Sequence, residues 1–149
     1  MQITQPTYDK FRIGELTIKE YDNWLLLTRF VQPTLGSLIL IDKNLGGGKE
    51  VEFGNLSADA LIEMGKIIHE IETKLKAAFN YDKINYQMLR MVDPEVHFHI
   101  MPRYESMREF AGHIFQDQNW PGPFSLQNDN KISDAQLLEL HVYLKGIFA

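Results

Sequence analysis

The stretch that decides the fold is residues 95–104, which read EVHFHIMPRY. Polar and apolar side chains alternate along it, and alternation with a period of two predicts a half-buried β-strand. On such a strand Glu95, His97 and His99 share one face, and the apolar residues between them share the other. Two neighbouring imidazoles would repel if both were charged, so the pattern indicates a site in which at least one of them is held neutral.

Three interpretations of this histidine pair stay open from the residues alone. The histidines can be half-buried side chains with backbone partners. They can be two ligands of a zinc or iron site that is completed by an acid or by His69, His113 or His141. One neutral imidazole can instead attack phosphorus as a nucleophile while a neighbouring group orients it. The chain has no cysteine, so thiolate ligands and thiol nucleophiles are excluded from all three.

Outward from this strand, apolar runs predict the rest of an antiparallel sheet. Five runs have the length and composition of strands: 16–21, 24–30, 35–41, 84–91 and 96–104. The turn signal Asp22-Asn23 joins the first two as a hairpin. Residues 92–95 join the last two, and Pro94 within them cannot donate to a strand ladder. The polar, glycine-rich stretch 42–48 is predicted to be a loop.

Two other segments have apolar residues at helical spacing. A helix is predicted over 57–79, with Ser57 as its N-cap. Its predicted apolar stripe is Leu61, Met64, Ile68, Ile71, Leu75 and Phe79. The chain ends in a second helix, which begins with the capping box of Ser133 and Gln136. Residues 105–131 read as an ordered surface loop. The fold class predicted is therefore α+β, an antiparallel β-meander sheet with a central helix and a C-terminal helix.

Length and charge limit the classes of function. The 149 residues suit one domain, and the net charge of −5 comes with scattered lysines and arginines rather than a basic stripe. A nucleic-acid partner is therefore not expected. No apolar run approaches the roughly 20 residues that cross a bilayer, and residues 1–11 do not read as a signal peptide. We expect no membrane partner and a cytoplasmic location.

The string EVHFHIMPRY resembles the signature of the histidine-triad (HIT) superfamily, in which three histidines alternate with apolar residues, often before Pro-Arg. Anchored on residues 100–103, His99 takes the third histidine position, His97 the second and Glu95 the first, where the family usually has histidine. The same resemblance extends to three further segments: 29–38, 82–86 and 108–112 with Trp120-Pro121. The last of these is similar to an extension in a bacterial branch of the superfamily. The resemblance covers about 25–123 and implies one HIT-like domain over residues 1–149.

The resemblance implies a nucleotide hydrolase or nucleotidyltransferase. Its substrate would be a dinucleoside polyphosphate, such as a diadenosine polyphosphate, or a nucleoside phosphoramidate, attacked at the α-phosphorus. His97 is implied to be the nucleophile, forming a covalent nucleotidyl-histidine. His99 is implied to contact a phosphate oxygen, and its backbone carbonyl to accept the other ring N–H of His97. The implied candidates for substrate binding are Gln32, Asn85, Glu95 and Arg103.

The resemblance also implies a homodimer, paired through the central helix or a sheet edge. No metal held by the protein and no cofactor are expected, except Mg²⁺ bound with the substrate's phosphates. The departure at Glu95 leaves an alternative function open, a nucleotide-binding module without turnover. A carboxylate beside His97 would favour the protonated imidazole and would repel phosphate. His113, in the predicted 105–131 loop, could assist the leaving group if that loop covers the site.

Overall fold

The computed structural model describes residues 1–44 and 52–149 and has at its centre an antiparallel five-stranded sheet. The strands are β1 (Thr17–Glu20), β2 (Trp24–Thr28), β3 (Leu38–Asp42), β4 (Lys83–Gln87) and β5 (His97–Arg103). Their order is β1-β2-β3-β5-β4, so the first three form a meander and β5 lies between β3 and β4. The predicted sheet is confirmed, and the strand with the two histidines is an inner strand. Residues 45–48 of the predicted 42–48 loop lie outside the described residues.

The N-terminal segment covers one face of this sheet with two short helices that the sequence analysis did not predict. These are α1 (Gln5–Lys10) and α2 (Ile13–Leu16). Apolar residues of the segment, of β2 and of β3 form a small buried cluster there: Phe11, Ile13, Leu25, Leu27, Ile39 and Ile41. Helices of six and four residues contain too few turns to show a 3.6-residue period, which explains the omission.

The larger core lies on the opposite face, under α3 (Ala58–Phe79) and α4 (Asp134–Ile147). The predicted caps are confirmed: Ser57 accepts from the Ala60 amide, and Ser133 and Gln136 form a capping box. The predicted stripe of α3 is wrong at Leu61, which is exposed because the buried face runs through Ala60 and Ile67. None of the helices in the described part of the chain is long and apolar enough to cross a membrane.

Residues 105–131 contain a hairpin where the sequence analysis predicted only a loop. Its strands are β6 (Arg108–Phe110) and β7 (His113–Phe115), joined by Ala111-Gly112 with positive φ angles of 52° and 71°. The Phe110 ring packs on Phe79 at the end of α3. Strands of three residues are too short for alternation to reveal them.

Candidate active site

The two histidines lie on the face of β5 that the N-terminal segment covers. In the strand register His97 is opposite Ile41 and His99 is opposite Ile39, both members of the smaller cluster. Phe98 and Ile100 belong to the larger core beneath α3. The predicted alternation of faces is therefore confirmed. It is needed for the site, because it places two polar rings on a face that is otherwise apolar.

His97 is held in one tautomer by the backbone. Its Nδ1 lies 2.9 Å from the carbonyl oxygen of Glu95, and the side chain is almost completely buried. A carbonyl only accepts, so Nδ1 carries a proton, and in the neutral imidazole Nε2 is then the nitrogen with the free lone pair. The ring of Phe11 packs against the imidazole, with centroids 5.4 Å apart. The carbonyl expected from the resemblance was that of His99, and this is wrong: the ring reaches back to the residue two positions earlier.

His99 is kept neutral by burial. Its ring meets that of His97 edge to face, with centroids 5.2 Å apart. Burial, and then the neighbouring His97 and the charge of Arg29, lower the pKa of His99 to about 3. Its Nδ1 is buried without a hydrogen-bond partner among the described residues. His99 is therefore uncharged at neutral pH, which agrees with the expectation from the sequence that at least one of the two imidazoles is held neutral.

Glu95 is buried beneath the start of α1 and does not line the cleft beside the histidines. Its Oε1 accepts from the Thr4 hydroxyl at 2.8 Å and from the Thr4 amide at 3.3 Å. The Thr7 hydroxyl lies 3.0 Å from that of Thr4, which has already donated its proton to the carboxylate. The N-terminal segment thus caps the carboxylate. What Glu95 presents to the site directly is its backbone carbonyl.

A cleft of about 190 Å³ opens beside the histidines. Its charged lining residues are Lys10, Arg29, Arg90 and Asp93. Its apolar lining residues are Phe11, Phe30 and Leu126, together with Leu89, Met91 and Val92 of the connection between β4 and β5. Lys10 pairs with Asp93 at 3.0 Å, which leaves the two arginines to give the cleft a positive charge. A positive, partly apolar cleft suits a ligand that has both an anionic group and a flat apolar part.

Three of the predicted substrate-binding residues lie elsewhere. Arg103 is on the same face of β5 but four residues beyond His99, about 13 Å along the strand. It is buried, forms a bidentate pair with Asp117 at 2.6 and 3.1 Å, and donates to Asn85 Oδ1 at 2.7 Å. Neither Arg103 nor Asn85 lines the cleft. The geometry favours a structural role for both, anchoring the segment that contains Asp117.

Gln32 also makes contacts inside its own loop. Its Nε2 donates to the carbonyls of Arg29 and Ser37, and its Oε1 accepts from the amides of Gly36 and Ser37. Gly36 has a φ of 83°, and a Cβ there would lie 2.9 Å from the Phe79 ring, so this turn needs glycine. The Gln32 amide therefore shapes the loop that follows Arg29.

The other histidines are distant from the cleft lining. His69 is exposed on α3, and His113 lies on the β6–β7 hairpin. His141 is buried, with Nδ1 2.8 Å from the Thr28 hydroxyl, and burial lowers its pKa. Within residues 1–44 and 52–149, no three histidine or acidic side chains come together as metal ligands. The part of the 105–131 segment that reaches the cleft is Leu126, not His113.

The cleft residues that sequence reasoning missed are Lys10, Phe11, Arg29 and Arg90. Lys10 is the last residue of helix α1 and Phe11 is its C-cap, and this short helix gave no periodic pattern. Arg29 follows β2 and Arg90 lies between β4 and β5, so tertiary packing alone brings them together. The one signal in the sequence that could have marked these two arginines is their position close to the ends of predicted strands. Arg29 directly follows β2, and Arg90 follows β4 in its connection to β5.

Comparisons with known proteins find similarity in structure and none in sequence families. No protein-family model matches the chain, and no curated protein matches it. A histidine-triad protein from Sinorhizobium meliloti superposes with a TM-score of 0.72 at 18% identity, covering 98% of this chain and 95% of that one. One from Marinobacter aquaeolei gives 0.68 at 17% identity, covering 99% and 96%.

A third similar structure is a hypothetical histidine triad nucleotide-binding protein from Sulfolobus tokodaii, with a TM-score of 0.64, 17% identity, and coverage of 95% and 90%. Each match covers nearly the whole of both chains. At identities this low, the structural similarity establishes the fold alone, and any chemistry must be argued from the residues of the site. The chain has the fold of the histidine-triad superfamily.

Proposed function

We propose that the chain is a nucleotide hydrolase or nucleotidyltransferase that acts at the α-phosphorus through a covalent nucleotidyl-His97 intermediate. One observation carries the proposal. The Nδ1 proton of His97 is directed to the Glu95 carbonyl, so Nε2 is the nitrogen that the neutral imidazole offers to a ligand in a positively charged cleft. A neutral imidazole whose second nitrogen is oriented in this way is an activated nucleophile. The resemblance of the strand motif and the fold agree with this chemistry.

The reaction has two displacements. In the first, Nε2 of His97 forms a bond to the α-phosphorus, and the bond from phosphorus to the leaving group breaks with its electron pair going to that group. In the second, water or another acceptor attacks the same phosphorus. The P–N bond then breaks, its electron pair returns to Nε2, and the proton of the attacking water is released. Two easier steps replace one difficult displacement.

His99 contributes as a neutral neighbour. Because its pKa is lowered to about 3, His99 is uncharged at neutral pH. Its one N–H can donate to a non-bridging phosphate oxygen, where negative charge builds in the transition state. Burial lowers the pKa of Arg29 to about 10, so this side chain stays positively charged at neutral pH. Its charge also attracts the phosphate.

A nucleotide-binding module without turnover is the second candidate, and the carboxylate at Glu95 is the observation that favours it. The buried position of that carboxylate under Thr4 weakens this reading, since the charge is capped rather than open to a phosphate. The test is incubation with a panel of adenylylated compounds, with detection of AMP. Release of AMP by the wild type and none by His97→Ala supports the enzyme. Nucleotide binding without AMP release supports the module.

We also propose that the chain forms a homodimer. In the described sheet β4 pairs with β5 and is an edge strand. Helix α3 exposes the apolar residues Leu61 and Ile62. Either surface could pair with a second copy. Light scattering on the eluting protein measures the mass directly, and a monomer at all concentrations would overturn the proposal. The cytoplasmic location stays a prediction.

A further inference from the structure

Two arginines in the cleft have guanidinium nitrogens that lack partners. Arg29 Nε, and Arg90 Nε and Nη2, are buried without a hydrogen-bond partner in the described part of the chain. Buried donors are almost always paired, because an unmade bond costs the full desolvation of the group. All three nitrogens belong to side chains that line the histidine cleft. Their common location indicates a ligand that accepts hydrogen bonds.

Arg90 has two unpartnered guanidinium nitrogens, whereas Arg29 has one. Arg29 already donates through Nη1 to the Val31 carbonyl at 2.8 Å and through Nη2 to the Leu126 carbonyl at 3.4 Å. The contact of Arg90 is weak: Nη1 lies 3.4 Å from a carboxylate oxygen of Glu52, whose side chain is 84% exposed. An exposed pair of this kind contributes little binding energy.

The chain itself shows what the free edge of Arg90 can hold. In Arg103 the edge formed by Nε and Nη2 makes a bidentate pair with the Asp117 carboxylate. The same two nitrogens are the unpartnered ones in Arg90. This edge matches the spacing of two oxygens in a carboxylate or a phosphate. Arg90 thus has an unpaired edge of the kind that binds anions, and in Arg103 the same edge is occupied by a carboxylate.

The charges in the cleft indicate more than one anionic group on the ligand. Lys10 is paired with Asp93, so Arg29 and Arg90 are the cations left for a ligand. An α-phosphate bound to a nucleoside and to a leaving group carries one negative charge. Arg29 is close enough to His99 to act on it electrostatically, which suits the α-phosphate. Arg90 lies on the β4–β5 connection, next to the exposed Leu89 and Met91, which also line the cleft.

We propose that Arg90 determines specificity by binding an anionic leaving group through Nε and Nη2. The inference rests on the proposed function of His97. When the P–O bond to a phosphate leaving group breaks, the departing oxygen takes the electron pair and gains negative charge, which the guanidinium stabilises. An amine leaving group instead takes up a proton from water as the P–N bond breaks, so it gains no negative charge. The site therefore prefers nucleotides whose α-phosphorus carries a further phosphate over nucleoside phosphoramidates.

The test compares two substrates that share the adenylyl group, diadenosine tetraphosphate and adenosine 5′-phosphoramidate. Arg90→Gln should lower kcat/KM for the tetraphosphate by about 10- to 100-fold, the range for hydrogen bonds to a charged group. Its loss on the phosphoramidate should be at least tenfold smaller. Arg90→Lys keeps the charge without the bidentate edge and should fall between the wild type and Arg90→Gln. Equal losses on both substrates, or no loss on either, would overturn the proposal.

Arg12→Gln is the matched control. Arg12 has a φ of 53°, as Arg90 has 52°, and it pairs with the exposed Glu15 outside the cleft. The control removes the same charge from the same backbone conformation. It should retain the wild-type preference between the two substrates.

Calorimetric titration with inorganic pyrophosphate separates this inference from the proposed function. Arg90→Gln should raise the Kd for pyrophosphate by about 10- to 100-fold, and Arg12→Gln should leave it unchanged. If the wild type releases no AMP but the variant loses pyrophosphate binding, the anion site stands and the proposed function fails. If the wild type turns over and the variant binds pyrophosphate as the wild type does, the assignment of Arg90 fails.

Discussion

Replacing His99 by Gln should remove part of the pH dependence of stability. Burial lowers the pKa of His99 from 6.5 to about 3, so between these pH values the unfolded chain binds a proton there that the folded chain does not. The free energy of unfolding must then fall as the pH falls. Integrated from pH 7 to pH 5, this one group costs the wild type about 2 kcal/mol. Glutamine stays neutral throughout and adds no such slope.

Urea unfolding at pH 7, 6 and 5 measures this difference. The wild type should lose about 2 kcal/mol more than His99→Gln between pH 7 and 5, with similar m values. His69→Gln, at an exposed position of α3, is the control and should follow the wild type. Other groups titrate in all three proteins and cancel in the comparison. Equal losses in the wild type and His99→Gln would refute the argument that burial holds this imidazole neutral.

Three further predictions test the surroundings of the site. Glu95→Gln should leave the KM for polyphosphates close to the wild-type value, because the Glu95 carboxylate is capped by Thr4 and does not line the cleft; a clearly lower KM would mean that its charge reaches the bound phosphates. Asp117→Asn should lower the free energy of unfolding by about 3 kcal/mol, because it leaves the buried Arg103 guanidinium without its counter-charge. Glu15→Gln, in an exposed pair, should cost much less than Asp117→Asn in the same urea experiment, and equal costs would contradict the role assigned to burial. Chelation followed by Mg²⁺ addition should leave turnover intact, whereas a requirement for stoichiometric zinc or iron, shown by elemental analysis, would favour a metal site.

Local periodicity made most of the sheet and both long helices predictable. The alternation around His97 placed the two histidines on one face because a strand has only two faces. Ser57 and the Ser133–Gln136 box marked the helix starts because their side chains satisfy amides that the helix leaves free. These signals act within a few residues, so they can be read from the sequence.

The lining of the cleft depends on contacts between distant residues and could not be predicted in this way. Phe11 contacts His97 across 86 positions only because α1 packs over the sheet. Arg103 was a candidate for phosphate on the strength of the motif, but the buried carboxylate of Asp117, 14 residues later, takes its guanidinium. Arg90 had no local pattern to mark it. Its significance lies in donors without partners, which only a folded structure reveals.

The most direct test of the central claim is the mass of the protein during turnover. The wild type is mixed with an adenylylated substrate, quenched under conditions that preserve acid-sensitive phosphoramidates, and measured intact and after digestion. One adenylyl group per chain is expected on His97, and none on His97→Ala. An adduct on His99 or His113 would contradict the assignment of the nucleophile. Turnover by His97→Ala at the wild-type rate would contradict covalent catalysis at this residue altogether.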